Sequence, residues 1–210
     1  MYYPIISDKQ VIMLTLDDIA HLISPILKNR HFRTYESEND PGIRNTLSIS
    51  AAILVIIHCK HATPHILLTK RSSHLRSHTG EISFPGGRYS SIYDLNLLDT
   101  ALRETREEVG LYFRAEDILG RLETVHTLTS NFTIVPFITL QTKIPDPKIF
   151  TNEVESIIDV PLQETLATCQ PDLDHYHISQ KEVYKFTHQE TVIWGATARI
   201  LKQLHNYLTP

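Results

Sequence analysis

Cysteine is scarce here: Cys59 and Cys169 are the only two in 210 residues. They stand far apart and form no CxxC pair, which argues against a disulfide framework and against a thiolate metal cluster. Reduced thiols in a cytosol-like compartment are expected. Long apolar runs are missing too. The longest, Ala51 to Ile57, is far too short to cross a bilayer. The opening MYYPIISDKQ lacks a basic segment followed by an apolar one, so no secretory signal is read there. The closing YLTP matches no targeting address. Excess charge of one sign is also absent. A formal net charge of -4 gives no whole-chain attraction to nucleic acid or to an anionic membrane. These absences predict a cytoplasmic protein with neither nucleic acid nor a membrane as partner.

What is present is an ordinary globular composition, 41% hydrophobic and 21% charged, in a chain long enough for one real core. Leu16 to Asn29 has a helical period, with Ile19, Leu22, Ile23 and Ile26 on one side and Thr15 able to cap its start. The polar stretch 34–46, with its Pro-Gly pair, reads as a linker. Residues 1–45 are therefore expected to form a helix and linker, and 46–210 the main domain. Ser48 to Ile57 is rich in β-branched residues and predicts a buried strand. His65 to Thr69, Arg121 to Leu128, Phe132 to Leu140 and Val183 to Thr187 predict further strands, while Glu153 to Leu162 is either strand or loop. Helices are expected over Leu97 to Val109 and Thr191 to Leu208. Strands on both sides of a central helix predict an α/β fold, a mixed sheet covered by helices on both faces.

The helix Leu97 to Val109 carries the chemistry. At about 100° per residue, Leu98, Leu102, Thr105 and Val109 form a core-facing stripe. Glu104, Glu107 and Glu108, spaced i, i+3, i+4, share a different face. Gly110 is placed to end the helix in a left-handed conformation. Like charges crowded on one face repel, and a divalent cation removes that repulsion. A bare ExxEE is more often a solvated acidic face. The residues around it shift that balance.

Gly87 followed by Arg103-Glu104-Thr105-Arg106-Glu107-Glu108-Val109-Gly110-Leu111 resembles the Nudix box, G-x5-E-x7-R-E-U-x-E-E-x-G-U with U apolar. Thr105 departs from it at an apolar position. The stretch Leu67 to Gly87, LLTKRSSHLRSHTGEISFPGG, resembles the signature of the coenzyme A pyrophosphatase branch of that family and meets every fixed position. Weaker echoes follow in Val135-Pro136-Phe137, Val160-Pro161-Leu162 and Ile193 to Ala198, so the resemblance spans about residues 48–200. The loop from Gly87 to Arg103 is two residues longer than the general box. Strict counting puts the box's first glutamate on Leu95, and the nearest acid is Asp94.

The resemblance implies a Nudix-type fold and hydrolysis of a diphosphate. In the coenzyme A branch it implies cleavage of a small-molecule substrate, coenzyme A or a derivative, to 3',5'-ADP and 4'-phosphopantetheine. Mg²⁺ or Mn²⁺ would sit on Glu104, Glu107 and Glu108, with a carbonyl from Gly86 or Gly87. Glu107 is the first choice as general base, and Glu153 or Glu155 the rival. Arg103 is expected to orient the glutamates. Arg71 and Arg76 are read either as phosphate contacts or as loop support. Trp194 is read as a core residue before a stacking platform. None of the twelve histidines is assigned to a metal. A monomer and a homodimer are both compatible with the sequence. The alternatives are hydrolysis of ADP-ribose, a dinucleotide polyphosphate or a modified nucleoside triphosphate, and a Nudix-like module that binds a nucleotide without cleaving it.

Overall fold

The computed structural model describes residues 13–28, 48–73, 80–127, 130–175 and 183–209. The linker expected over 34–46, and Arg76, His74 and His78, lie outside the described residues. The strands are β1 (Ile49–Lys60), β2 (Thr63–Arg71), β3 (Ile82–Ser83), β4 (Gly86–Arg88), β5 (Gly120–Arg121), β6 (Val125–His126), β7 (Phe132–Gln141), β8 (Val154–Pro161), β9 (Gln170–Pro171), β10 (Tyr184–His188) and β11 (Thr191–Ile193). The helices are α1 (Leu16–Lys28), α2 (Leu97–Val109), α3 (Leu162–Ala167) and α4 (Gly195–Leu208).

The apolar run that opens β1 makes it the centre of a mixed sheet. It pairs in parallel with β7 and antiparallel with β2 and β4. Its side chains alternate between two cores, as a strand's period of two requires. Ala52, Leu54 and Ile56 face one core, which α2 covers with Leu97, Leu98, Ala101 and Val109. Ile53, Val55 and Ile57 face the other, covered by α1, α3 and α4. The result is the expected α/β sheet between helical layers.

Local chemistry sets the ends of these elements. Thr15 and Asp18 bond reciprocally at the start of α1: the Asp18 N–H donates to Thr15 Oγ1 at 3.2 Å, and the Thr15 N–H to Asp18 Oδ2 at 2.8 Å. The apolar face of α1 is Ile19, Ile23 and Leu27, all essentially buried; Leu22 is exposed and Ile26 only half-buried. The buried stripe is rotated by about 50° from the expected one. Two further expectations are corrected. The stretch expected as one strand from Arg121 to Leu128 holds, over its described part to Thr127, the end of one short strand and the whole of another, because Leu122 and Val125 both turn into the core; Leu128 lies outside the described residues. The closing helix begins at Gly195, after strand β11 and a Gly195 φ of 65°. The ambiguous stretch resolves into β8, which lies along β2, with α3 starting at Leu162.

One feature of β1 positions the site. Along its first half the antiparallel neighbour is β4, with Ala52 opposite Gly87; along its second half it is β2, with Ile56 opposite Leu67. Extending the β2 register brings Arg71 level with Ala52, where β4 already sits. The end of β2 and the Gly86-Gly87 strand must therefore diverge. α2 lies across β4 at this fork.

Candidate active site

The glycine pair is required by space. Gly86 has φ 148°, and a Cβ there would meet the Ala52 carbonyl oxygen and lie 2.5 Å from Ile53 Cα. A Cβ on Gly87 would lie 2.5 Å from the carboxyl carbon of Glu104. Only hydrogen at both Cα atoms lets β4 hug β1 while α2 presses its carboxylates against the turn.

α2 is held firmly at both ends. Asn96 caps it, accepting from the Leu98 and Asp99 N–H groups at 2.8 and 3.0 Å. Gly110, at φ 69°, closes it with an N–H to Arg106 O bond. Glu104 and Glu108 then stand one turn apart beside the glycines. Glu108 is buried, at 9% exposure, and its Oε2 accepts from the Gly86 N–H at 3.1 Å. Glu107 does not join them. It is exposed, takes a 3.1 Å hydrogen bond from Arg103, and lines a cleft of about 960 Å³ along the outer side of α2 with Tyr93, Arg106, Tyr112 and Phe150. The single shared face expected for the three glutamates is thus corrected to a pair plus an outward neighbour. Helical angle puts Glu107 about 100° round from Glu108, enough to clear the turn. Among the described residues no three Asp, Glu, His or Cys side chains gather as a metal-binding group.

Arg103 organises the acidic side chains. Its Nε and Nη2 bind Asp94 at 2.7 and 3.0 Å, while Nη1 reaches Glu104 at 2.9 Å and Glu107 at 3.1 Å. Asp94 is buried and also accepts from the Ser90 N–H at 3.0 Å and from the Thr100 hydroxyl at 2.8 Å. Burial opposes its ionisation, but hydrogen bonds from Arg103, Ser90 and Thr100 outweigh that and hold its pKa below the usual carboxylate value. The same Asp94 bond raises the pKa of Arg103. This arrangement fixes the guanidinium in one plane, as a bidentate pair does.

The two glutamates at the turn behave oppositely to Asp94. Burial raises the pKa of Glu104, with Arg103 opposing. Burial pushes that of Glu108 up to about 7, with the Gly86 N–H opposing and the charges of Glu104 and Glu153 adding to the rise. No lysine or arginine among the described residues pairs with Glu108. Arg71 and Glu153 complete the surroundings. The Ser72 N–H donates to Glu153 O at 2.8 Å, and Arg71 Nη1 lies 3.8 Å from Glu153 Oε2. Glu155 is turned to Lys70 at 2.6 Å instead. Trp194 is only half-buried, stacked on His175 at 4.1 Å, so it is neither pure core nor a free platform.

Residues 47–183 match the model of the NUDIX domain. The chain belongs to the Nudix family. It is 35% identical over 170 residues to the uncharacterized Nudix hydrolase NudL of Yersinia enterocolitica, covering 78% of this chain and 84% of that one. With the protein of the same name from Photorhabdus laumondii it shares 37% over 163 residues, covering 73% and 82%. Among solved structures, the NUDIX domain of Shewanella oneidensis NrtR complexed with ADP ribose superposes with a TM-score of 0.55 at 18% identity, covering 83% of this chain and 97% of that one. That likeness concerns the fold alone.

Within the Nudix helix, sequence reasoning located the glutamates and Arg103 but left Asp94 without a role. In the structure the longer loop returns Asp94 under the helix as the anchor of Arg103. Its signal was an acid near the expected box position, followed by Thr100 one helical turn into α2. Phe150 carried no sequence signal at all: its ring lies on Gly110, and no local pattern connects the two.

Proposed function

We propose that the chain is a metal-dependent Nudix hydrolase that cleaves the diphosphate of coenzyme A or a derivative, giving 3',5'-ADP and 4'-phosphopantetheine. One observation carries the hydrolase reading: Glu104, half-buried, and Glu108, buried, stand against Gly86-Gly87 with raised pKa values, and among the described residues no lysine or arginine forms an ion pair with Glu108, although the charge of Arg71 opposes the rise. Such an arrangement is costly for the empty protein and suits a hard cation, which needs only one or two carboxylates when water and substrate phosphates complete its shell. Glu104, Glu108 and a main-chain oxygen of Gly86 or Gly87 would hold Mg²⁺ or Mn²⁺, with Glu107 at the rim. A bound cation of this kind supplies neutralisation of diphosphate charge and acidification of water.

The chain's own side chains supply the rest. Arg103, locked by Asp94, keeps Glu104 oriented. Arg71 is available to a phosphate oxygen through its guanidinium. For general base we favour Glu153 over Glu107. Glu153 lies on the Arg71 and Glu108 side of α2, whereas Glu107 opens to the outer cleft. Hydrolysis breaks one P–O bond of the anhydride, forms another to water oxygen, and passes the water proton to that carboxylate. Support for coenzyme A as substrate rests on the signature from Leu67 to Gly87. The test is mass identification of products after incubating coenzyme A with the protein and Mg²⁺. Both named products are expected. Faster cleavage of ADP-ribose, the ligand of the NrtR domain, would replace the coenzyme A reading, and no cleavage of any diphosphate would remove the hydrolase reading.

A further inference from the structure

The chain between β7 and β8 crosses the C-terminal end of α2. A helix end leaves its last carbonyls without partners. Here the Lys148 N–H takes Val109 O at 2.9 Å and the Phe150 N–H takes Glu108 O at 3.3 Å. The Phe150 ring lies on Gly110; a Cβ at Gly110 would collide with the ring, whose Cδ2 would be 2.9 Å away. Yet Phe150 is 69% exposed, so burying the ring is not what the contact achieves. Three residues later the segment is tied a second time, by the Ser72 N–H to Glu153 O bond and the pairing of Val154 with Arg71. The β2–β8 register shifts there, between Lys70 and Arg71, with Glu155 as the extra residue on β8, so the start of β8 bends out of the regular ladder where the loop enters it.

We propose that Phe150 is a positioning residue: by clamping the loop onto Gly110 it sets the separation between Glu153, carried by the strand side, and Glu108, carried by the helix. Two anchors, one on each element, are needed to fix a distance across a fork whose arms diverge. On the helix the anchor is the Phe150 ring together with the Lys148 and Phe150 N–H bonds, and the ring is its side-chain part. This rests on the hydrolase reading, in which Glu153 takes a proton from water beside Glu108. A base must lie within hydrogen-bond reach of that water, and a displacement of about 1 Å is worth roughly 100-fold in rate.

The experiment compares the wild type with Phe150→Ala and Phe150→Tyr. Phe150→Ala is expected to lower kcat by roughly 10- to 100-fold. Its KM and its affinity for Mg²⁺ alone, by calorimetry, should stay near wild type, because Arg71, Glu104 and Glu108 are untouched. Phe150→Tyr keeps the ring and should restore kcat. An unchanged kcat in Phe150→Ala overturns the proposal. So does a fall in kcat that follows a matching loss of Mg²⁺ affinity, since that is damage to the helix rather than to the spacing. If the wild type cleaves no diphosphate, the hydrolase reading fails on its own, and hydrogen exchange still tests the clamp. Faster exchange at Lys148, Phe150 and Ser72 in Phe150→Ala supports it; unchanged exchange refutes it.

Discussion

Replacing Glu108 by glutamine separates what this side chain does for the fold from what it does for chemistry. Its carboxyl is pushed from 4.5 up to about 7, mainly by burial. Each pKa unit corresponds to about 1.4 kcal/mol, so holding the ionised form in place weakens the metal-free fold by something on the order of 3 kcal/mol. The sign follows from proton counting. Between the unfolded and folded pKa values the folded chain binds more protons than the unfolded one. Stability is therefore complete below the unfolded value and declines as pH rises through about 7. Glutamine is close in shape, its amide oxygen keeps the Gly86 N–H satisfied, and it never ionises. In EDTA at pH 8, Glu108→Gln should be more stable than the wild type by denaturant unfolding. At roughly 2–4 °C per kcal/mol for a chain of this size, its Tm should lie about 6–12 °C higher. At pH 5 the two should nearly coincide. Mg²⁺ should raise the Tm of the wild type at pH 8 far more than that of the variant, because only the wild type has a site to fill. A variant less stable than the wild type at pH 8 in EDTA would refute the idea that this carboxylate is held at a penalty.

The glycine pair should divide by role: Gly86→Ala meets backbone and should destabilise the fold by several kcal/mol, whereas Gly87→Ala meets only the Glu104 carboxylate and should lose turnover and Mg²⁺ affinity with a small change in Tm. Asp94→Asn leaves Arg103 half-paired and should cost about 2–4 kcal/mol in urea unfolding together with a fall in kcat. Asp159, although burial works against it, is held below the usual carboxylate pKa by His58 and Lys60. Its contribution to stability is present above the ordinary carboxylate value and lost as pH falls through the lowered one. Asp159→Asn should therefore flatten the acid limb of a stability–pH curve.

The composition, the apolar run of β1, the period of α2 and the spacing of Arg103, Glu104, Glu107 and Glu108 are properties of a few consecutive residues, governed by local rules. They were enough for the fold class, the helix that carries the acids, and the glycine that ends it. The Gly86-Gly87 motif was equally visible, but not its reason, which is the approach of β1 on one side and Glu104 on the other. Tertiary structure alone decided how the three glutamates divide. A helical wheel gives angles, and only the position of β4 says which angle is inside. It likewise decided that Ile19, Ile23 and Leu27 rather than Leu22 face the core, since α1 has apolar residues over a wider arc than it buries. Asp94 under Arg103, Glu153 beside Arg71 and Phe150 on Gly110 join residues from separate elements. Contacts of that kind depend on how strands pair and where helices lie across them, and no short window of sequence contains that information.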